Sequence, residues 1–207
     1  MSGPARPQLR SLAVADPAER WTELGFAVGD SEVELGGVRV RLGQPGRGIV
    51  GWTVSGLETV PDLAGLAADS DAASPGHPAT THANGAVGMD HVVLISPEFD
   101  RTAAELARAG LGLSRVTDQL RGVRQGFRRL GPAILEVVEM AEAPRVRLWG
   151  LTVIVTDLDA LVRRLGDWVS PAKPAIQPGR RIATLRLSAG LSTAMAFMDP
   201  EGNAGAA

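Results

Sequence analysis

The sequence predicts an α+β fold built of repeated β-α-β-β-β units. Three observations carry this reading. A strand–cap–helix–glycine run recurs three times, alternation of period two appears wherever the helical period stops, and 207 residues with 44% apolar content suit one or two small globular domains.

The first run, Leu12 to Phe26, reads as an apolar strand, Asp16 as N-cap, Pro17 at the first helical position, a short helix and a stop at Gly25. The second, His91 to Leu113, has Ser96 as cap, Pro97 behind it, Phe99, Ala103 and Leu106 at helical spacing, and Gly110 as stop. The third, Leu151 to Val169, takes Thr156 as cap, buries Leu158, Leu161, Val162 and Leu165, and stops at Gly166. Strands follow each helix. After the first come Val33 to Leu42 and Ile49 to Val54, after the second Leu113–Leu120, Val123–Leu130 and Ala133–Val138, and after the third the segments around Ile182 to Arg186 and Thr193 to Met198. The N-terminal unit spans 9–60 and the paired C-terminal modules 88–203, as 88–142 and 146–203. Between them 61–87, rich in Ala, Ser, Asp, Pro and Gly without periodicity, reads as a linker.

Composition narrows the chemistry. Lys+Arg of 21 against Asp+Glu of 23 gives a net charge of −2, so no dense positive field awaits a phosphate backbone and nucleic acid is not an expected partner. The absence of cysteine removes disulfides, thiolate nucleophiles and cysteine-based zinc or iron–sulfur sites. Any metal must use carboxylates and the three histidines, His77, His82 and His91. No apolar run approaches the roughly 18 residues a membrane helix needs, and the N-terminus shows no secretory pattern, so the expectation is a cytoplasmic protein off the membrane.

With His91 on the first strand of one unit (MDHVVLISPEFDRTAAELARAGL), Glu136 on its last (LGPAILEVVE) and the same grammar in WGLTVIVTDLDALVRRLG, the chain resembles the vicinal oxygen chelate superfamily over about residues 9 to 200. That group includes glyoxalases, bleomycin-resistance proteins and extradiol dioxygenases. The resemblance implies a glyoxalase-like fold in which paired modules curl their mixed sheet into a cup. It also implies a divalent metal held by the first and last strands of each module, and a substrate with neighbouring oxygens. Carried over, His91 and Glu136 match ligand positions. In the next module the histidine position falls on Gly150 and the glutamate position on Ala196 or Phe197, so half of the site is missing.

His82 could complete a two-histidine, one-carboxylate set of the kind non-haem iron uses; the plainer reading is an exposed linker residue. Glu136 stands alone among apolar neighbours, and by strand parity it faces either the cup or solvent, where Arg128 or Arg129 could pair with it. Two functions follow. One is a glyoxalase- or dioxygenase-like lyase, isomerase or oxygenase with a depleted site of Fe, Mn, Zn or Ni, Glu136 serving as ligand or catalytic base. The other is a metal-free protein that sequesters a small apolar ligand against Trp52, Trp149 and Phe197, with no cofactor. An open sheet edge favours a homodimer.

Overall fold

The computed structural model describes residues 6–60, 67–69, 80–120 and 122–202 and arranges them as two mixed sheets. The N-terminal sheet contains β1 (Gln8–Val14), β2 (Glu32–Leu35), β3 (Val38–Arg41), β4 (Ile49–Ser55) and β5 (Ala67–Asp69), in the order β2-β3-β1-β4-β5. The C-terminal sheet contains β6 (Ala86–Ser96), β7 (Arg115–Leu120), β8 (Val123–Leu130), β9 (Ala133–Glu139), β10 (Arg147–Val155), β11 (Lys173–Pro174), β12 (Arg181–Thr184) and β13 (Ala194–Met198). Its order is β11-β12-β13-β10-β6-β9-β8-β7. Helices α1 (Ala18–Glu23), α2 (Phe99–Arg108) and α3 (Leu158–Leu165) follow β1, β6 and β10.

The two sheets share one plan. β6 lies antiparallel to β10 and parallel to β9, while β10 lies parallel to β13. β1 likewise lies antiparallel to β4 and parallel to β3, and β4 lies parallel to β5. The segment IVGWTV is therefore not the last strand of the first unit. It opens a second, shortened unit whose closing strand is β5, so the stretch expected to be linker supplies an edge strand.

Strand parity explains where the core sits. Val92, Leu94, Leu135, Val137, Leu151 and Val153 point from the C-terminal sheet into a hydrophobic core that also takes in Leu9, Leu12, Val40 and Trp52 from the N-terminal sheet and Trp21 from α1. The alternate residues His91, Val93, Glu136 and Thr152 face the opposite, concave side.

All three cap assignments shift; Ser96 closes β6, and α2 has Glu98 at its N-cap with no side-chain capping bond. α3 is capped by Asp157, whose Oδ1 accepts the Ala160 N–H at 2.8 Å, in place of Thr156. Asp16 does not cap α1: its carboxylate reaches across to accept the Ser192 N–H at 2.6 Å and the Thr193 N–H at 3.2 Å, tying the N-terminal sheet to the loop before β13. A buried carboxylate satisfies more donors there than at a helix of six residues.

Candidate functional site

A cavity of about 620 Å³ opens on the concave face of the C-terminal sheet. Its walls are largely apolar, with Val93, Ile95, Val138, Met140, Leu191 and Met195 among them, and its floor is polar.

The floor is assembled by register. His91 pairs across β6 and β10 with Thr152, and Thr152 pairs across β10 and β13 with Ala196, which sets these three side by side. On the other flank Val93 is opposite Glu136, one step of the same face along. The His91 Nε2 comes within 3.0 Å of Thr152 Oγ1 and 3.5 Å of Glu136 Oε2. Behind the ring, Nδ1 is 2.8 Å from Asp90 Oδ2. Asp90 is buried against Arg180, whose Nη1 lies 2.7 Å from Oδ1, and the Arg180 Nε donates to the Asp199 carbonyl at 2.8 Å. On β8, Gln125 Nε2 donates to Glu136 Oε1 at 2.6 Å.

These contacts set the protons. Burial pushes the Asp90 carboxyl up, but hydrogen bonds from His91 and Arg180 and their positive charges outweigh it, holding Asp90 below the usual carboxylate range. An ionised carboxylate only accepts, so Nδ1 of His91 carries a hydrogen toward Asp90; in the uncharged form of the ring Nε2 is an acceptor within reach of the Thr152 hydroxyl. Glu136 goes the other way: burial raises its carboxyl above the usual range, with the nearby charge of Asp90 adding to the rise and His91 and Gln125 only partly offsetting it. The two carboxyls flanking His91 are thus pushed in opposite directions, Asp90 down behind the ring and Glu136 up at the cavity floor.

The residues expected from sequence divide sharply. His91, Glu136 and Trp149 line the cavity, the last 44% exposed at its open side. His82 does not line it. Its Nδ1 accepts the Ala27 N–H at 3.0 Å and its Nε2 donates to the Glu34 carbonyl at 2.8 Å, so both nitrogens serve backbone groups of the N-terminal unit and neither is free for a metal. Trp52 and Phe197 are likewise off the cavity, buried in the core, where Phe197 stacks on Phe26 with ring centroids 6.3 Å apart. Phe197 has the wrong strand parity for the concave face, and Trp52 belongs to the other sheet, where it points into the core. Sequence reading missed Asp90, Gln125, Thr152 and Arg180. Parity from His91 and Gly150 would have found Thr152, and Asp90 was visible as its neighbour; Arg180 reaches the site only through tertiary folding.

A solved fusion of a xylose isomerase-like TIM barrel with a 4-hydroxyphenylpyruvate dioxygenase matches the whole of this chain at 11% identity and a TM-score of 0.63, over 51% of its own length. The chain adopts the vicinal oxygen chelate fold. Methylmalonyl-CoA epimerase from Mycobacterium tuberculosis matches 56% of this chain and 89% of its own at 18% identity, TM-score 0.46. The hypothetical protein BH1468 from Bacillus halodurans C-125 matches 57% and 97% at 16% identity, TM-score 0.46. No protein-family model and no curated protein matches the sequence.

The vicinal oxygen chelate fold implies a divalent metal between its two modules, and the residues here do not fit one. With Gly150 taken as the counterpart of His91 from the sequence, the registers make Ala196 the counterpart of Glu136: Glu136 is opposite Val93, two residues after His91, and Ala196 is opposite Thr152, two residues after Gly150. Gly150 has no room for a side chain: a Cβ there would sit 2.5 Å from the Ala194 carbonyl oxygen. Asp90 lies on the wrong side of the His91 ring to share an ion with Nε2. Among the described residues no group of three or more His, Asp or Glu is arranged to hold a metal. One imidazole and one carboxylate fall short of the three protein ligands that catalytic centres ordinarily use.

Proposed function

We propose that this chain binds a small organic molecule in the concave cavity and moves a proton on it without a metal, His91 acting as base and Glu136 as its partner. The observation that supports this most is the Asp90–His91–Glu136 line, in which one carboxylate fixes the ring and the other faces its free nitrogen at the cavity floor. A C–H or O–H of the bound molecule beside a carbonyl would give its proton to Nε2. The imidazolium so formed would be stabilised by Asp90 behind and Glu136 in front, and Thr152 and Gln125 would donate to oxygens that gain charge. Apolar walls exclude water and strengthen each of these interactions.

The apolar lining and the exposed Trp149 favour a second reading on the same cavity, ligand sequestration without turnover. Proton exchange separates them. Incubating untagged protein in D2O with a panel of small ketones, 2-oxo acids and thioesters, read by NMR, should show C–H to C–D exchange in at least one member. That exchange should be unchanged by EDTA and lost in His91→Ala. Exchange that requires added Fe, Mn, Zn or Ni, or that survives His91→Ala, overturns the proposal, and tight binding with no exchange leaves sequestration as the function.

A further inference from the structure

The cavity carries a charge asymmetry that its acid–base floor does not use. The chain as a whole has two more acidic than basic residues, 23 against 21. The cavity lining reverses this, with Arg47, Arg147 and Arg186 against Glu136 as its one carboxylate among the described residues. The three arginines arrive from separate parts of the fold. Arg147 opens β10, two residues from Trp149 on the same side of the strand, and Arg186 opens the short 3-10 turn Leu187–Ala189. Arg47 comes from the N-terminal unit, in the loop between β3 and β4. That loop is fixed in place: the Gly48 N–H donates to Ser192 Oγ at 2.8 Å, and the Ser192 O–H donates to Asp16 Oδ1 at 2.6 Å.

All three side chains are exposed, and none has a carboxylate partner among the described residues; Arg186 donates only to the Asp167 carbonyl, at 3.3 Å. They therefore line the open end of the cavity, while Glu136 occupies the buried end. An anionic group is repelled by the floor and attracted at the mouth, which fixes the direction in which a polar molecule would lie. Guanidinium groups suit carboxylate and phosphoryl oxygens alike. The apolar walls and the Trp149 face suit a hydrocarbon or aryl body between the two ends.

We infer that the ligand is a small amphiphilic organic anion, its apolar body against Trp149 and its charged group held at the mouth by Arg47, Arg147 and Arg186. The inference rests on the cavity being the ligand site. It also gives the N-terminal unit a role, because Arg47 is supplied across the Asp16–Ser192 junction.

The test uses the neutral dye N-phenyl-1-naphthylamine as reporter, displaced by nonanoate, octyl phosphate or 1-nonanol at low salt. At least one anion should displace the dye at concentrations roughly tenfold below the alcohol, an advantage of the size that a few charge-assisted contacts give. The advantage should shrink to about twofold or less in the triple variant Arg47→Gln/Arg147→Gln/Arg186→Gln, and in wild-type protein at high salt. The carboxylate and phosphate arms report which head group the mouth prefers. Equal displacement by alcohol and both anions, or an advantage that survives in the triple variant, overturns the inference. Ala196→Trp, which fills the cavity floor, separates this from failure of the cavity itself. If the dye does not bind wild type, or binds Ala196→Trp equally well, the ligand site is elsewhere and both readings fall.

Discussion

The two halves of the C-terminal sheet are built to one register and equipped differently. In one half β6 and β9 place His91 and Glu136 on the concave face; in the other β10 and β13 place Gly150 and Ala196 at the matching positions. At Gly150 the Ala194 carbonyl oxygen stands where a side chain would begin. The difference is thus embedded in the packing: the β6–β9 half offers an imidazole and a carboxylate to the cavity, and the β10–β13 half offers Gly150, Thr152 and Ala196.

The strongest test of that asymmetry is the buried pair joining the halves, Asp90 on β6 and Arg180 just before β12. Arg180→Met leaves Asp90 buried without its cation, and urea denaturation should show a loss of about 3–5 kcal/mol. Asp90→Asn in the same background should recover part of that loss. A cost under about 1 kcal/mol, the range of exposed pairs, would mean the pair does not bind the halves together.

Next in size is the Gly150 position itself. Gly150→Ala should cost about 1–3 kcal/mol, the ordinary penalty for overpacking against backbone. Ala196 faces the cavity, so Ala196→His should cost less than about 1 kcal/mol, as a substitution into open space does. It also adds a third donor beside Thr152 on the row that contains His91. Cobalt titration followed by visible absorption should detect binding in Ala196→His and none in wild type; equal binding by both would show that the wild-type donor set suffices.

Much of this comparison was legible in the sequence, and what was not has identifiable physical causes. The helix stripes and alternating strands announced the modules because burial imposes their periods locally. The approach of His91 to Glu136 followed from first and last strands being neighbours in each module. His82 was misread because a polar, glycine-containing segment looks like linker, whereas its imidazole replaces backbone partners between Ala27 and Glu34. Phe197 failed as a pocket wall because parity turns it to the core, and Trp52 because it belongs to the other sheet. The Asp16–Ser192 link and the reach of Arg180 to Asp90 span distant parts of the chain and leave no local pattern.

A smaller effect concerns protonation of the equipped half. Burial raises the Glu136 carboxyl above its unfolded range, so the native state holds that proton more tightly than the unfolded chain. Its contribution to stability is full below the unfolded pKa and is lost as pH rises through the folded one. Asp90 has the opposite sign, adding stability that is lost only as pH falls through its depressed value, and it is common to wild type and variant. Glu136→Gln removes the first dependence and keeps a donor and acceptor for His91 and Gln125. Thermal melts over roughly pH 5 to 8 should therefore show the variant gaining on wild type as pH rises. A constant difference across that window would mean Glu136 titrates alike in both states.

The smallest effect on stability sits at the cavity mouth. Leu187 is 89% exposed and lines the cavity, an apolar side chain offered to solvent beside Arg186. Because it buries almost nothing, Leu187→Ser should leave stability within about 0.5 kcal/mol. If it closes over a bound apolar body, the same change removes contact only in the complex. Affinity for a neutral apolar dye should then fall about three- to tenfold, the worth of one aliphatic side chain passing from water to a ligand surface. Unchanged affinity would confine the ligand to the floor and to Trp149, and would make the mouth a matter of charge alone.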